Sequence, residues 1–479
     1  MRIGAGLFLA LAACAVPARA GGAGREDALL ALRRLSAVLH GSPPEARERA
    51  RDPLDAAVAA ILARDYERAV EIALEAQGRI LGREPTTVEA LAWSLRVGVA
   101  PRLFESGTKA EAEVSLECVT RAPERAPDFV EVAVRLEPND AEPRNLFKTS
   151  SRRESLEAGG DRIRVPIPEI PSTRGTLRVV LRAKGEEAAT HGIPLGFAPD
   201  LGPRIEALGA VLAGLIGTPR RDGDTASLLA EASRLREAIA GGIGHEGLDP
   251  LALFERCESL ASRERPGGEA PGFRRRARFL PSGALTSYTL FVPPRAVGAP
   301  PLFPLLLVVV GSIEDEASPF EEWTGGGLAA AAVARGACVA VVPLAGPKEE
   351  PDPFGALIEE IARSAPADRR KVHLLGRGAG ATVAAREAVA APGRFASVTL
   401  LDGGVVRGKD LDALAPVPIL VGGAGRGPTA PAARSLARLA TGRGHVRARI
   451  REEAGYLEAG PALLEEALDR ATAPPSDGR

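Results

Sequence analysis

The most constraining feature of this chain is a short apolar strand pattern that runs directly into a turn with three alternate glycines. Residues 371–381 read Lys-Val-His-Leu-Leu-Gly-Arg-Gly-Ala-Gly-Ala, and an alanine-rich helix pattern follows. Glycine at 376, 378 and 380 suits positive φ angles or close helix packing, because glycine has no Cβ. A strand, a glycine turn and a helix in succession predict an α/β sheet, in which ligands bind at the carboxyl ends of the strands.

Predicted strands and helices alternate from about residue 273 onward. Leu305–Val310 is an unbroken apolar run, as expected for a strand that is buried on both faces of a sheet. The C-terminal part therefore predicts a doubly wound, mostly parallel α/β domain over 273–475. Its further predicted strands are Cys338–Val342, Val372–Leu375, Ser397–Leu401, Ile419–Val421 and Val446–Ile450, and its last predicted helix is Pro461–Ala471.

The rest of the chain predicts a multidomain protein, with an α-helical region and a small β-sandwich before the α/β domain. Apolar residues at helical spacing predict an α-helical domain over 25–106. Alternating apolar residues between Pro, Asn-Asp and Gly turns predict an immunoglobulin-like sandwich over 108–198. Pro166 and Pro168 place one of its strands at a sheet edge, because proline cannot donate to a central ladder. A helical hairpin and a linker are predicted over 200–265.

The first residues predict export. An arginine, an apolar stretch over Ile3–Val16 and the Ala-Arg-Ala sequence at 18–20 are typical of a signal peptide over residues 1–20. The Leu-Ala-Ala-Cys sequence that ends at Cys14 also resembles a bacterial lipobox, so a lipid anchor there is the alternative. No other segment is long and apolar enough to predict a transmembrane helix. We expect a periplasmic or extracellular protein.

Charge and composition exclude several classes of function. The formal net charge is −1, so no basic face is predicted for a nucleic-acid partner. The only dense positive run is 274–278, which we interpret as part of a solvated linker and an edge strand. Three scattered cysteines follow the predicted cleavage site, and the five histidines are widely separated. With no CxxC or Cys/His cluster, we predict neither a metal site nor a cofactor.

Residues 280–472 resemble the esterase branch of the α/β-hydrolase superfamily, near polyhydroxybutyrate depolymerases, feruloyl esterases and carboxylesterases. Four pieces in a characteristic order carry the resemblance. They are the apolar strand into Val310-Gly311-Ser312, the segment Ala329–Val342, the segment Asp368–Gly376 and the strand Pro418–Gly423. The resemblance implies a Gly-x-Ser-x-Gly elbow and a Ser, Asp, His triad, with each triad residue on a loop after a strand.

Other residue types stand where the resemblance implies the triad. Gly378 takes the serine position, Arg426 lies in the loop of the acid, and Tyr456 takes the histidine position. The oxyanion loop reads Ser-Ile-Glu-Asp-Glu after Gly311, and carboxylates there would repel a developing negative charge. We therefore expect a pseudoenzyme that binds or scaffolds an unknown small molecule or protein. Its candidate pocket residues are Gly311, Ser312, Arg377, Gly378, Ala379 and Asp402.

Other interpretations are open at this point. The chain could be an active esterase whose catalytic site does not follow the family pattern. Against this, His373 falls inside a strand and His445 at the start of another, so neither is placed to activate Ser312. A third possibility puts the function in the helical and sandwich modules, with the hydrolase-like domain as their structural partner.

A dinucleotide site is a further alternative. Gly376, Gly378 and Ala381 satisfy the G-x-G-x-x-A fingerprint between a strand and a helix. Asp402 follows the next strand, where an acid that binds a ribose is expected. Against this interpretation, earlier strand–helix units precede the glycine turn, and nicotinamide cofactors are scarce outside the cytoplasm.

Overall fold

The chain forms two compact units, which are described separately. One comprises Met1–Ala31 and Tyr66–Glu264, and the other comprises Leu32–Asp65 and Arg265–Arg479. The predicted signal peptide, Cys14 and Ser312 lie outside the described residues. The structure, a computed structural model, describes residues 24, 27–28, 31–32, 35, 38–39, 42–119, 127–157, 160–170, 172–190, 192–215, 223–239, 249–262, 272–279, 285–295, 301–311, 327–342, 352–404, 406–454 and 456–473.

The helices that precede the C-terminal sheet show why sequence spacing predicts them. The third begins with a capping box, in which Thr86 accepts from the Glu89 backbone and Glu89 accepts from the Thr86 backbone. The last three share an apolar core with one another. In chain order these helices are α1 (Pro44–Leu62), α2 (Tyr66–Leu81), α3 (Thr87–Ser94), α4 (Arg153–Glu157), α5 (Leu201–Leu215), α6 (Gly223–Ile239) and α7 (Pro250–Ser262).

In the part of the first unit that the structure describes, nine strands build the sandwich. β1, β3 and β6 form one sheet, while β2, β9, β7, β4 and β5 form the other in that spatial order, with β8 beside β7. In chain order they are β1 (Leu95–Ala100), β2 (Leu103–Glu105), β3 (Ala110–Cys118), β4 (Phe129–Pro138), β5 (Arg144–Arg152), β6 (Asp161–Ile167), β7 (Arg174–Ala183), β8 (Glu186–Ala189) and β9 (Ile193–Ala198).

Alternating apolar side chains hold the two sheets together. Val114 from one sheet and Val132 and Val179 from the other are fully buried in the same core. β6 lies at the edge of its sheet and pairs only with β3 among the described strands, where the prolines predict an edge. β1 and β2 fall within 25–106, the range predicted as helical. The burial of β1 alternates residue by residue, which is a strand period.

The described residues of the second unit form an eight-stranded sheet with helices on both faces, which is the α/β architecture that the sequence predicts. Its spatial order is β10, β11, β13, β12, β14, β15, β16 and β17. β11 runs antiparallel to both of its neighbours, β10 and β13, and the strands from β13 to β17 pair in parallel. In chain order the strands are β10 (Gly272–Phe279), β11 (Leu285–Val292), β12 (Phe303–Val309), β13 (Cys338–Val342), β14 (Ala367–Arg377), β15 (Ser397–Leu401), β16 (Ile419–Ala424) and β17 (Val446–Arg451).

The helices of this sheet sandwich the central strands, and β12, β13 and β15 are therefore buried almost throughout. Unbroken apolar runs are what the sequence shows at these strands. The helices are α8 (Gly327–Arg335), α9 (Pro353–Ser364), α10 (Ala379–Ala390), α11 (Gly408–Ala413), α12 (Ala430–Ala440) and α13 (Tyr456–Thr472). Within the described ranges, no helix has both the length and the apolar character needed to cross a bilayer.

Candidate functional site

The glycine turn between β14 and α10 forms a sharp elbow at the carboxyl end of the sheet. Gly378 has φ 54° and ψ −122°, a conformation that L side chains rarely adopt. Its backbone N–H donates to the Leu401 carbonyl at 2.9 Å. No described atom lies within 4 Å of a Cβ built on Gly378, so this position faces open space. The structure therefore puts Gly378 at the tip of the elbow, where the resemblance implies a serine.

The two flanking glycines are required for a different reason. A Cβ on Gly376 would collide with the Gly380 carbonyl, and a Cβ on Gly380 would collide with the Val309 carbonyl on β12. Both residues allow α10 to approach the sheet more closely than a side chain permits. Close packing thus explains Gly376 and Gly380, and the positive φ angle explains Gly378.

Arg377 and Asp402 form a buried ion pair beside the elbow. The Arg377 Nε donates to Asp402 Oδ2 at 2.5 Å, and neither side chain has any exposed surface. Asp402 Oδ1 accepts from the Ala424 backbone N–H at 2.8 Å. The Asp402 N–H donates to the Gly422 carbonyl at 2.9 Å. One carboxylate therefore ties together the carboxyl ends of β14, β15 and β16.

The loop after β15 is also strained. Asp402 has φ 55°, and Gly403 and Gly404 follow with φ angles of 97° and 87°. A Cβ on Gly404 would lie 2.8 Å from the Gly378 carbonyl oxygen, so this loop packs directly over the elbow. Aspartate tolerates positive φ better than most residues. Strained backbone that its surroundings enforce is frequent at functional sites.

The acid position of the resemblance is covered by helix α1. Arg426 Nη2 contacts Asp52 Oδ1 on α1 at 2.8 Å. The neighbouring Gly427 has φ 76°, and a Cβ there would collide with the Asp55 carboxylate on the same helix. The basic residue of this loop is therefore engaged by an acid of α1. The contact joins residues 374 positions apart in sequence, and no local pattern predicts it.

The remaining expected site residues divide between described and undescribed parts. Gly311 is buried at the end of β12, next to Val310, whose N–H donates to the Val342 carbonyl. Ala379 is the first residue of α10 and Tyr456 is the first residue of α13. The Tyr456 side chain and Ser312 lie outside what the structure describes. The elbow thus brings together Arg377, Gly378, Ala379 and Asp402.

A serine–histidine pair exists in this sheet, but at its opposite end. His373 Nδ1 and Ser397 Oγ are 2.8 Å apart and buried. Ser397 is the first residue of β15, and His373 lies five residues before Gly378 on β14. At about 3.3 Å per residue, the pair is roughly 16 Å from the elbow. Burial, with a smaller contribution from Lys371, lowers the pKa of His373 to about 4.

His445 and the cysteines give no alternative nucleophile–base pair. His445 Nε2 contacts the Leu411 carbonyl at the amino end of β17, as its place in the sequence predicts. Burial raises the pKa of Cys118 to about 11 and that of Cys257 to about 12, which disfavours the reactive thiolate at both. Among the described residues, no Ser–His or Cys–His pair lies at the carboxyl ends of the strands.

The geometry also bears on cofactors. In the described part of the chain, no three His, Cys, Asp or Glu residues are grouped as a metal site would require. The dinucleotide alternative needs Asp402 to accept from a ribose. Both of its carboxylate oxygens already accept, from Arg377 and from the Ala424 backbone, and the side chain is buried. A ribose would have to displace a buried ion pair.

The sequence predicts both Arg377 and Asp402 as candidate site residues, but it does not predict that they form an ion pair. Arg377 on β14 lies opposite Leu401 on β15. Asp402 therefore comes one residue after the position that lies opposite Arg377. An arginine at the end of one parallel strand and an aspartate after the next is the signal that indicates the pair. The sequence gives no comparable signal for Asp52 and Asp55.

The chain matches no family model and no curated protein sequence. Solved structures that resemble it include the substrate-bound fluorophosphonate-binding serine hydrolase F of Staphylococcus aureus, with 9% identity, a TM-score of 0.36, and 43% of this chain and 100% of that one covered. The S-formylglutathione hydrolase of Staphylococcus aureus has 10% identity, a TM-score of 0.35 and the same coverage. A thermostable esterase has 15% identity and a TM-score of 0.33, with 78% of this chain and 98% of that one covered.

The architecture of the second unit identifies its fold. The spatial order of β10–β17 places β13 between β11 and β12, and it makes β11 the one antiparallel strand among those described. A sharp glycine elbow joins β14 to α10 at the carboxyl edge. The C-terminal sheet is therefore a mostly parallel, doubly wound α/β sheet with one antiparallel strand, which is the fold class that the sequence predicts.

Proposed function

We propose that this chain is an exported, non-catalytic protein in which an esterase-like α/β-hydrolase fold binds or scaffolds a small molecule or another protein. Gly378 is the observation that carries the proposal. It lies at the tip of the elbow with a positive φ angle, and no described atom is within 4 Å of a Cβ built there. The backbone device that lifts a nucleophile above the sheet is thus retained, while the residue at its tip has no side-chain oxygen.

The polar groups around the elbow support a structural role for this edge of the sheet. Each oxygen of the buried Asp402 already accepts a hydrogen bond, one from Arg377 and one from the Ala424 backbone, so this carboxylate holds the ends of the strands together. Arg426 stands in the loop of the catalytic acid and pairs with Asp52. A triad needs a nucleophile and a base within hydrogen-bond reach of each other, and a third group that orients the base.

Activity assays on the full chain test this proposal. We expect no labelling by a serine-directed fluorophosphonate and no hydrolysis of short-chain aryl esters above the background rate. Removing the nucleophile from a working triad lowers turnover by about a millionfold, so residual activity would be undetectable. Covalent labelling or robust turnover by the purified protein would overturn the proposal and support the active-esterase alternative.

A series of restored variants is the matched control. Gly378→Ser alone is expected to remain inactive, because tyrosine phenols are protonated near neutral pH and are poor general bases. Adding Tyr456→His and Arg426→Asp restores all three residue types at the positions that the resemblance implies. Weak turnover by the triple variant alone would support the assignment of the three positions. Strong turnover by Gly378→Ser alone would show that a working base is already present.

Export is part of the same proposal and has its own test. The apolar stretch at Ile3–Val16 and the Ala-Arg-Ala sequence at 18–20 support cleavage before Gly21. Cleavage before Cys14 would instead indicate a lipid anchor. N-terminal sequencing of the native protein distinguishes the two outcomes, and a chain that still begins at Met1 would contradict export.

A further inference from the structure

An arginine pair projects from the edge strand of the hydrolase-like sheet. β17 is the last strand in the spatial order and pairs only with β16 among the described strands. Arg447 and Arg449 are two residues apart, so they lie on the same face of β17, and both are exposed. Val446 points to the other face and contributes to the core. The outer border of the sheet thus carries two cationic side chains at the spacing of an extended strand.

A third arginine approaches these two from helix α13. Arg470 is half-buried, and its pKa is lowered chiefly by this burial. The positive charges of Arg447 and Arg449 lower it further, while Glu466 on the same helix opposes them. Glu466 lies 3.5 Å from Arg449 and one helical turn before Arg470 on α13, which brings Arg470 to the same border of the sheet. Arg447, Arg449 and Arg470 therefore form one arginine cluster between β17 and α13.

The cluster has too few acids of its own. Arg449 Nε is 3.5 Å from Glu466 Oε1, which makes this an ion pair without a close hydrogen bond. Arg447 and Arg470 have no hydrogen bond or ion pair with any residue that the structure describes. Three guanidinium groups thus share one carboxylate. Guanidinium groups bind carboxylates through pairs of parallel hydrogen bonds, and this capacity is largely unused here.

We propose that the arginine cluster of β17 and α13 is a docking site for an acidic, extended segment of a partner protein. Two features of the surface select this occupant. An edge strand offers unpaired backbone N–H and C=O groups, which allow a partner segment to add as a further strand. Carboxylates at alternate positions of that segment would repeat at the same spacing as Arg447 and Arg449.

Arg451 shows why the cluster is more than the usual protection of a sheet edge. It continues the alternation of Arg447 and Arg449 along β17, but Glu452 and Glu453 follow it immediately. Arginines that only prevent edge-to-edge association need no further arginine beside them. Arg470 comes from another element and increases the charge at one place, at the expense of partial desolvation. Such local concentration of charge favours an anionic partner.

Fluorescence anisotropy on the full-length protein tests the proposal. The probe is a labelled peptide of alternating glutamate and threonine, and the reference probe is a peptide of alternating lysine and threonine. We expect saturable binding of the glutamate peptide only, and weakening of this binding as salt is added. Arg447→Gln combined with Arg449→Gln should raise the Kd by about tenfold or more, since two charge-assisted contacts are lost.

Arg451→Gln is the matched control on the same strand, and we expect it to change the Kd by less than about twofold because acids flank it. Thermal melting of each variant verifies that the fold is retained. Equal binding of the two peptides, or an unchanged Kd for the double variant, would overturn the proposal. Binding of phosphatidylserine vesicles without binding of the peptide would overturn it as well, since a lipid surface would then be the occupant. The test is independent of catalytic activity, so it can fail or succeed whatever the esterase assays show.

Discussion

Strands β14 and β15 carry a buried polar pair at each end, and the two pairs differ in kind. At the amino end, His373 and Ser397 form a single contact of 2.8 Å between groups without charge. At the carboxyl end, Arg377 and Asp402 form a charged contact of 2.5 Å, and the Ala424 backbone N–H of β16 also donates to the carboxylate. The same two neighbouring strands thus hold a neutral pair and an ion pair with no exposed surface.

This difference shows where the fold retains an energetically demanding arrangement. Burying two charges is expensive and is compensated only by good geometry and additional hydrogen bonds. The neutral pair of His373 and Ser397 avoids this cost of burying charge. The ion pair nevertheless lies at the carboxyl ends of the strands, beside the elbow. Its carboxylate residue, Asp402, also has a positive φ angle. Strain and buried charge at this edge support the ligand site that we propose there.

The largest effect is expected from breaking the charged pair. Asp402→Asn keeps the shape of the side chain and tolerates a positive φ angle, but it removes the negative charge that pairs with the buried Arg377. We expect a loss of about 3–5 kcal/mol in the free energy of unfolding, measured by chemical denaturation. Adding Arg377→Gln should recover much of this loss, because the buried charge is then removed as well. A loss below about 1 kcal/mol for Asp402→Asn would show that water reaches the pair.

The neutral pair predicts a dependence of stability on pH. The pKa of His373 is about 4 in the folded chain, below the ordinary histidine value of 6.5, so the unfolded chain binds the proton more readily. Stability should therefore be full above about pH 6.5, decrease between 6.5 and 4, and lose in total about 3 kcal/mol from this group.

Two variants assign this pH dependence to the imidazole. His373→Gln should flatten the decrease between pH 6.5 and 4 in denaturation curves taken at several pH values. Ser397→Ala should lower stability by about 1 kcal/mol at neutral pH but should keep the slope, since the imidazole remains buried. An unchanged slope in His373→Gln would contradict the assignment and would point to another titrating group.

The sequence predicts this sheet well because its central strands are buried on both faces. Cys338–Val342 and Ser397–Leu401 have the same bounds in the prediction and in the structure. Continuous apolar runs and a helical period are strong local signals. The sequence does not predict the end of β16 or the start of α13, because Gly422–Ala424 and Tyr456–Leu457 have little hydrophobic periodicity.

The candidate site was predictable only in part. The alternate glycines predict the elbow. The sequence also predicts Arg377 and Asp402 as candidate residues, but not the ion pair between them. Their contact depends on strand order and register, which are tertiary properties. The Asp52–Arg426 contact spans 374 positions, so neither residue has a neighbour in sequence that would reveal it. Local sequence patterns indicate backbone conformation and burial, but they do not indicate which distant side chains are in contact.

A moderate effect is expected at the elbow itself, which tests whether the carboxyl edge still has room for a nucleophile. Gly378→Ser should lower stability by about 1–2 kcal/mol through its positive φ angle, without a collision. Gly442→Ser is the control, because Gly442 also has a positive φ angle and no described atom within 4 Å of its Cβ position. Similar melting temperatures for the two variants would support the open elbow. Unfolding of Gly378→Ser alone would mean that the alignment of Gly378 with the serine position is wrong.

The smallest effect is expected for the exposed ion pair at the same edge, and it isolates burial as the cause of the difference between the two ends. Arg426 and Asp52 are 2.8 Å apart, close to the distance in the buried pair, but their side chains are 34% and 81% exposed. Water already solvates both charges, so Arg426→Gln should lower the free energy of unfolding by less than about 1 kcal/mol. Asp52→Asn should have a similar effect, and the double variant should show little coupling between them. If these exposed substitutions were as damaging as Asp402→Asn, then charge at this edge, rather than its burial, would determine the stability of the sheet.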